Sequence, residues 1–332
     1  MAGINASTMS DSVKTFYEKR LLMRAIPRLV HSNFGERATI NKNGSYEWRK
    51  YGALSAKTTA LTSGTTPVEE STPSLTLVTA TPSWYGSWLG YTDQIDLQSI
   101  DPVANWISGV LGEQAGVSVD TLVRNAMTAG ATKLYSGDAT SRGTVDAPGD
   151  DLSYADILYA MATIWGNDAL AVSGGQFAII LHPHSLATIY QDPVWVNLFV
   201  EESDPLRSGF IGRILNCDVY CTSNAREYAN EGYGSTTDVY SFLIVAKESY
   251  GMVSMAGLQP KLVDSAGPMG KPLTGDGKKA NPVSLIFKGL GETGFDPLNQ
   301  RATAGWKLTE DIQILNSSWI IDLEHSNALS DA

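Results

Sequence analysis

The pattern of apolar and polar positions divides the chain into segments of different character. Near the N-terminus, apolar residues recur at helical spacing from residue 10 to 26, and Pro27 ends the pattern. The opposite face of this predicted helix carries Lys14, Arg20 and Arg24. Because a helix with one apolar stripe needs a surface to lie on, we expect it to pack against its own chain or against a neighbouring copy.

Two strand-like segments then enclose a long polar stretch. The first runs from Tyr46 to about Leu54, and the second, rich in threonine and aromatic residues, runs from Leu75 to Tyr91. The residues between them are mostly Thr, Ser, Gly and Pro. A compact domain rarely needs so long a connection without structure, so we predict a projecting β-hairpin whose tip packs on something outside its own core.

A long helix is predicted from Asp101 to Gly130. Asp101 can cap it, Pro102 suits its first turn, and Gly130 is a natural stop. About 28 residues at 1.5 Å each give a rod on the order of 40 Å, well above the usual three or four turns. This length indicates a structural spine. The residues expected on one face of the helix are Val103, Ile107, Val110, Gln114, Val117 and Leu122.

An α/β segment follows the spine. Ser153 and Asp156 predict a capping box, which starts a helix that ends at Gly166. Residues 177–181 are apolar throughout, as a buried strand requires, and a short helix and further strands come after them.

From Val283 onward the pattern is again that of strands, so the chain as a whole is predicted to be α+β. The side chains expected to form the buried face of the last long strand are Trp306, Leu308, Ile312 and Ile314. Glu310 breaks this alternation, and nothing in the sequence explains why. The polar cluster Asn299-Gln300-Arg301 before this strand fits either an active site or a contact that ties the strand to a neighbour.

Composition is that of an ordinary globular protein, but the charge is unevenly distributed. Of 332 residues, 43% are hydrophobic and 18% are charged, with a net charge of −11. Up to Lys57 there are ten Lys or Arg against four Asp or Glu; from residue 58 onward there are fourteen against thirty-one. An acidic body repels nucleic acid, which argues against a dedicated DNA-binding protein. The basic N-terminal part can bind acidic surfaces, including the body of another copy.

The candidate chemistries are weak. His182 and His184 lie two residues apart but supply only half of a metal site. The loop around Gly270-Lys271 lacks the glycine spacing and the Ser or Thr of a phosphate-binding loop. Cys217 and Cys221, if they lie on one strand, are about 13 Å apart, which is too far for a disulfide.

No catalytic, cofactor-binding or metal-binding residue is therefore assigned, and an enzyme would have to use scattered residues. No apolar run reaches the roughly 18 residues that cross a bilayer, and no secretory signal is visible. We expect a protein that is made and used in a cytoplasm.

The order of these segments resembles a known architecture. A basic N-terminal arm, a polar projecting hairpin, a spine helix, an inserted α/β domain and a late return to strands follow one another as in the Hong Kong 97-type fold of tailed-phage major capsid proteins. The chain is also similar, over about residues 14 to 326, to the coat-protein family typified by the major capsid protein of coliphage N-four. The stretches that carry this similarity are YEKRLLMRAIPRLVH, LGEQAGVSVDTLVRNAM, QDPVWV, DVYSFLIVAKESYGMV, DPLNQRATAGWK and ILNSSWIIDLEH.

The resemblance implies a division of the chain into five parts. These are an N-terminal arm (residues 1–45), an E-loop hairpin that reaches over an adjacent subunit (46–92), a P-domain with the spine helix (93–150), an A-domain with a junction loop (151–282) and returning P-domain strands (283–332). The type member of the fold crosslinks its shell through an E-loop lysine. Since residues 58–132 contain no lysine, only Lys57 is available, and we expect no such crosslink.

The implied function is that of a major capsid protein, without catalytic activity or cofactor. It would assemble through hexamers and pentamers into an icosahedral shell around double-stranded DNA, without reading the DNA sequence and without membrane contact. Its expected location is the virion capsid, assembled in the cytoplasm of a host bacterium, with scaffold, portal and decoration proteins as further partners. The residues expected at contacts between subunits are Arg20, Arg24, Arg28, Arg49, Lys57, Glu69, Glu70 and Arg301.

Two alternatives stay open at this point. One is a minor virion protein, such as a decoration or portal-associated component. The other, which the sequence favours less, is a cytoplasmic enzyme with scattered site residues.

Overall fold

The computed structural model describes most of the chain between Val30 and Asn327. The described residues are 30–40, 44–66, 72–98, 103–147, 149–172, 175–191, 210–215, 217–255, 284–288, 298 and 300–327. The helix predicted at residues 10–26 and the glycine-rich loop around Gly270 lie outside them.

The described residues form four α-helices and fourteen strands. The α-helices are α1 (Asp93–Gln98), α2 (Val103–Gly130), α3 (Tyr154–Gly166) and α4 (Pro183–Gln191). The strands are β1 (Glu36–Ile40), β2 (Tyr46–Tyr51), β3 (Leu75–Ala80), β4 (Ser83–Thr92), β5 (Thr132–Tyr135), β6 (Phe177–Leu181), β7 (Phe210–Ile214), β8 (Cys217–Cys221), β9 (Glu227–Tyr228), β10 (Val239–Val245), β11 (Tyr250–Met255), β12 (Ser284–Lys288), β13 (Arg301–Ile314) and β14 (Ile320–His325). None of the helices in this part of the chain is long and apolar enough to cross a membrane.

Within the described residues the strands form three sheets. The first has five strands around β13, which pairs with β12 and β4 in its N-terminal part and with β11 at its C-terminal end, while β1 pairs with β11 at the edge. The second has seven strands in the order β5-β14-β10-β6-β8-β7, with β9 paired to β10. The third is the isolated antiparallel hairpin of β2 and β3. This mixture of sheets and helices confirms the predicted α+β class.

Turns divide three stretches that have continuous strand character in the sequence. Thr81 and Pro82 separate β3 from β4, because proline lacks the N–H that a central strand donates to its neighbour. Leu215 lies between β7 and β8 and Glu248 between β10 and β11, both with positive φ. These left-handed residues let the chain reverse within a few positions.

Helix α2 confirms the predicted spine, but the predicted face was wrong apart from Ile107, which is buried. Val110 and Val117 are 39% and 37% exposed. The residues that are buried recur every four positions: Ile107, Leu111, Ala115, Val119, Val123 and Met127. Since 3.6 residues complete one turn, a row spaced by four drifts around the helix by about 40° at each step.

The drift of this buried row lets one helix serve two sheets. Its first four residues pack against Tyr91 of β4 and the apolar face of β13. Its last two, Val123 and Met127, pack against apolar residues of β6, β10 and β11. A helix with one straight stripe would cover a single sheet, so the departure from the predicted face follows from having two partners.

The α/β part forms where the sequence places it. The N–H of Ser153 donates to Asp156 Oδ2 (3.1 Å) and the N–H of Asp156 donates to Ser153 Oγ (3.3 Å), which is the predicted capping box. Leu152 and Ile157 are buried in the same cluster on either side of this cap. Helix α3 ends at Gly166, and β6 is buried along its whole length, both as predicted.

We expect Leu111→Ala to lower the free energy of unfolding by about 2–5 kcal/mol, because it leaves a cavity between α2 and the first sheet. Val110→Ala, on the exposed side of the same turn, should change it by only about 0.5 kcal/mol. Urea unfolding of the two variants followed by circular dichroism measures the difference. Equal losses would contradict the buried row described here.

Candidate assembly interface

The hairpin of β2 and β3 is attached to the body through one of its two faces. Trp48 and Ala80 lie on the attached face, in a cluster with Val253 of β11. The Trp48 indole lies directly over Gly251, where an added Cβ would come within 2.4 Å of the ring. Glycine at this position therefore makes room for the aromatic ring that holds the hairpin base.

The other face of the hairpin points away from the body and carries exposed apolar side chains. Tyr51 is 68% exposed and Leu77 is 51% exposed, with Leu75 and Arg49 beside them. Residues 53–66 and 72–74, which continue toward the tip, are also exposed. An isolated two-stranded ribbon is marginal in water, so this hairpin needs a second surface.

A groove lies on the outer side of the first sheet, opposite the side that packs on α2. It has a volume of about 520 Å³ and is formed by β12, β13 and β4. Trp84, Trp88 and Ile286 are exposed along it, and Gly86 and Gly305 lie between them. A Cβ at Gly305 would lie 2.9 Å from Trp88, so these glycines keep the groove open.

Cations border this groove. Lys288 and Lys307 line it, and the Lys307 Nζ lies 4.0 Å from the centroid of the Trp84 ring, in cation–π contact. Arg301 is on the same side of β13 as Lys307, because the two are an even number of residues apart. The outward positions of β4 and β12 include no acidic residue, and the only one on this side of β13 is Asp311, near the C-terminal end of the strand. The groove is thus apolar in its centre and basic at its margin.

The residues predicted at subunit contacts are only partly within the described chain. Arg49 and Lys57 are exposed on the hairpin, and Arg301 is exposed at the start of β13. The Arg301 side chain makes no hydrogen bond or ion pair with the described residues, so its expected contact with a neighbouring subunit remains a prediction. The others lie outside the described residues: Arg20, Arg24, Arg28, Glu69 and Glu70.

A buried carboxylate on α2, which had no signal in the sequence, holds Val30 and His31 in place before β1. Asp120 Oδ1 accepts hydrogen bonds from the N–H groups of Val30 (3.0 Å) and His31 (2.9 Å). Asp120 Oδ2 lies 2.8 Å from His31 Nδ1 and 2.8 Å from Asn224 Nδ2, which donates to it. Burial alone would raise the pKa of Asp120, but the hydrogen bonds and charge of His31 lower it overall.

Glu310, the unexplained residue of the last long strand, continues the buried face of β13 instead of interrupting it. It is 4% exposed, on the same face as Trp306 and Leu308. Burial raises the pKa of Glu310 to about 7, while the positive charge of Arg37 acts in the opposite direction. The partner that makes this position tolerable comes from β1, far away in the sequence.

Three histidines meet around Tyr240. The rings of His182 and Tyr240 are stacked with centroids 5.2 Å apart, and His184 Nδ1 lies 3.0 Å from the Tyr240 hydroxyl. His325, distant in sequence, is 6.1 Å from the same ring. Burial lowers the pKa of His325 to about 4, and burial with the nearby His184 lowers that of His182 to about 4. Among the described residues, no group of three or more His, Cys, Asp or Glu is arranged to hold a metal ion.

Other buried charges are paired inside the second sheet. Lys133 Nζ lies 2.5 Å from Asp322 Oδ2 and 2.7 Å from Glu324 Oε1. Arg142 donates to both carboxylate oxygens of Glu324, at 2.8 and 2.7 Å, and to Glu231. These two cations hold β5 and the 142–144 turn to β14.

The fold is that of phage capsid proteins. The capsid protein of Ralstonia phage GP4 matches with a TM-score of 0.64 at 13% identity, covering 91% of this chain and 90% of that one. The capsid protein of cyanophage Pam1 matches with a TM-score of 0.62 at 10% identity, covering 92% of each chain. Such similarity over nearly the whole of both chains shows the Hong Kong 97-type capsid fold.

The same fold also occurs in the encapsulin SrpI of Synechococcus elongatus, which matches with a TM-score of 0.55 at 10% identity over 92% of this chain and 88% of that one. No protein-family model matches the sequence, and no curated protein matches it.

Two buried groups should give the stability of this protein opposite dependences on pH between 5 and 6. His325 binds a proton in the unfolded chain but not in the folded one, so it makes stability rise with pH. Glu310 is protonated when folded and largely ionised when unfolded, so it makes stability fall with rising pH. We expect His325→Gln to lower, and Glu310→Gln to raise, the slope of unfolding free energy against pH by up to about 1.4 kcal/mol per unit.

Urea unfolding at pH 5.0, 5.5 and 6.0 measures these slopes, and each variant is the control for the other. Slopes that move in the same direction in both variants would contradict the two pKa directions.

Proposed function

We propose that this chain is a major capsid protein that assembles through hexamers and pentamers into an icosahedral shell around double-stranded DNA. The observation that carries the proposal is the fold, which is shared with phage capsid proteins over about nine-tenths of this chain and of theirs. The chain's role is then structural: it provides surfaces for copies of itself.

The surfaces left open by the single chain support assembly. The outward hairpin face and the groove of the first sheet both expose large apolar side chains. Exposed apolar patches bordered by polar groups are typical of protein interaction sites. The two patches differ from each other, as in a heterologous interface, in which each copy uses one patch toward one neighbour and the other patch toward the next.

The finer parts of the proposal rest on the sequence. The similarity to the coat-protein family of coliphage N-four supports placement in that family. It also supports the division into arm, hairpin, P-domain and A-domain, the location in the virion, and assembly in a host cytoplasm with scaffold, portal and decoration proteins. The acidic body supports enclosure of DNA without tight binding, because like charges keep the genome from adhering to the wall.

A second candidate is a shell around a protein cargo, which the similarity to an encapsulin favours. The content of the particle separates the two: a genome in one case, a packaged protein in the other. A minor virion protein remains the third candidate, and copy number per particle separates it from both.

Negative-stain electron microscopy should show capsomers or closed shells when the chain is expressed alone or with the scaffold gene of its phage. Particles isolated from infected cells should contain nuclease-protected double-stranded DNA, and this chain should be the most abundant protein on a stained gel. A chain that stays monomeric even with scaffold present would contradict the proposal, and particles that hold only protein would favour the encapsulin-like shell.

Arg301→Ala should reduce the yield or the heat tolerance of particles, because Arg301 is an exposed cation on the outer face of the first sheet, where a neighbouring copy can contact it. Lys247→Ala, an exposed lysine in the turn between β10 and β11, is the matched control. Particle counts after a heat step measure the effect. Normal particles with unchanged heat tolerance would show that Arg301 holds no neighbour.

A further inference from the structure

We propose that Arg124 of α2 and Arg226, the residue before β9, form a binding site for a phosphate group. Both side chains are half-buried, where α2 meets the loop that follows β8. The inference goes beyond the proposed function, because it concerns an anion site on the single chain and does not require that copies assemble.

The two guanidinium groups converge on one oxygen atom. Asn125 Oδ1 accepts hydrogen bonds from Arg124 Nη2 (3.0 Å) and Nε (3.3 Å), and it lies 3.5 Å from Arg226 Nη1. Arg124 Nη1 also donates to the backbone carbonyl of Asn224 (2.9 Å), which fixes the direction of this side chain. Two cations from different elements therefore share a single neutral acceptor.

Arg226 is held in place but has few acceptors. Its backbone carbonyl accepts from the N–H of Ser241 on β10 (3.0 Å), and its guanidinium carbon lies 4.7 Å from the centroid of the Tyr228 ring, in cation–π contact. Its Nε is buried and has no acceptor among the described residues. Since a guanidinium has five N–H donors, the long contact with Asn125 leaves most of them available to a ligand.

Within the described residues, no carboxylate forms an ion pair with either arginine. Asp120, one turn earlier on α2, has both oxygens engaged by the hydrogen bonds described above. By contrast Arg142, which contacts the same aromatic ring, is paired with Glu324. Burial and then the positive charge of Arg226 lower the pKa of Arg124, as expected for two like charges held close together. An anion placed between them would remove this repulsion.

The arrangement favours phosphate over carboxylate as that anion. A carboxylate has two oxygens in one plane, and its preferred bidentate contact engages a single guanidinium. A phosphate group has oxygens in several directions and can accept from two guanidinium groups that approach from different elements. Because Asn125 is exposed, a phosphate oxygen can replace its amide oxygen between the two arginines. Inorganic phosphate and the backbone of double-stranded DNA share this chemistry.

The melting temperature of the unassembled chain tests the site. It is measured at neutral pH in sodium phosphate, sodium chloride and sodium acetate of equal ionic strength. We expect phosphate to raise the melting temperature by about 2 °C or more over chloride, and acetate to act like chloride. An equal rise in acetate would overturn the assignment of phosphate and favour a carboxylate from another copy.

Variants separate the site from the general stabilising effect of phosphate on folded proteins. Arg226→Gln should remove most of the rise and weaken phosphate binding by roughly tenfold, because hydrogen bonds to a charged group are lost. Lys247→Gln removes the same single charge from an exposed turn and should keep the rise. Equal rises in the two variants would overturn the proposal.

Asn125→Asp tests the site without removing a side chain from it. The substitution places a carboxylate of nearly the same shape at the shared oxygen, so the site carries its own anion. We expect a higher melting temperature in chloride and no further rise in phosphate beyond that of Arg226→Gln. A phosphate rise in Asn125→Asp as large as in the unmutated chain would overturn the proposal.

A short DNA duplex shows which source of phosphate the site takes. If the site binds the DNA backbone, Arg226→Gln should reduce the slope of log affinity against log salt by about one relative to Lys247→Gln. A duplex that does not bind, or that binds with the same slope in both variants, assigns the site to free phosphate when the melting experiment is positive. If neither inorganic phosphate nor the duplex responds to Arg226→Gln, the proposal is overturned, whether or not the chain forms particles.

Discussion

The burial of one drifting row of side chains on α2 is the contact on which the other elements depend. The row begins on β4 and β13 of the first sheet and ends between β11 of that sheet and β6 and β10 of the second. Asp120 lies between Val119 and Val123, where the row passes from the first group of strands to the second. A charge that is fully buried at such a junction must be paired and hydrogen-bonded. His31 and Asn224 do this, so the same interaction holds the residues before β1 and the loop after β8 to α2.

Local signals in the sequence were sufficient to predict an element whose position does not depend on two different sheets. The length of α2, the capping box of α3 and the buried strand β6 follow from spacing and cap residues that act within a few positions. The buried face of α2 did not follow, because its position is set by two sheets that come together only in the fold. Glu310 is the same case: its neighbour Arg37 lies on a strand from the other end of the chain, and no local pattern connects them.

One part of the candidate interface could be predicted from the sequence and the other could not. The hairpin was predictable because its middle is polar over many residues and cannot bury itself. The groove was not, since β4, β12 and β13 are separated in sequence and become neighbours only through pairing. Alternation predicts which residues of β13 turn inward. The alternation on β13 does not show which residues of β4 lie beside its outward residues. The exposure of Trp84 and Trp88 could therefore not be predicted from the sequence.

The net charge of a chain does not show how the charges are distributed over its surfaces. From residue 58 onward acidic residues outnumber basic ones, and this total alone predicts that the surface formed by these residues is anionic. In the structure Lys133 and Arg142 are paired with buried carboxylates, whereas Lys288, Arg301 and Lys307 occupy one side of the first sheet. Because salt screens exposed charges beyond about 8–10 Å, a neighbour responds to this local arrangement and not to the total. The first sheet therefore presents a local cationic surface even though the chain from residue 58 onward is acidic in total.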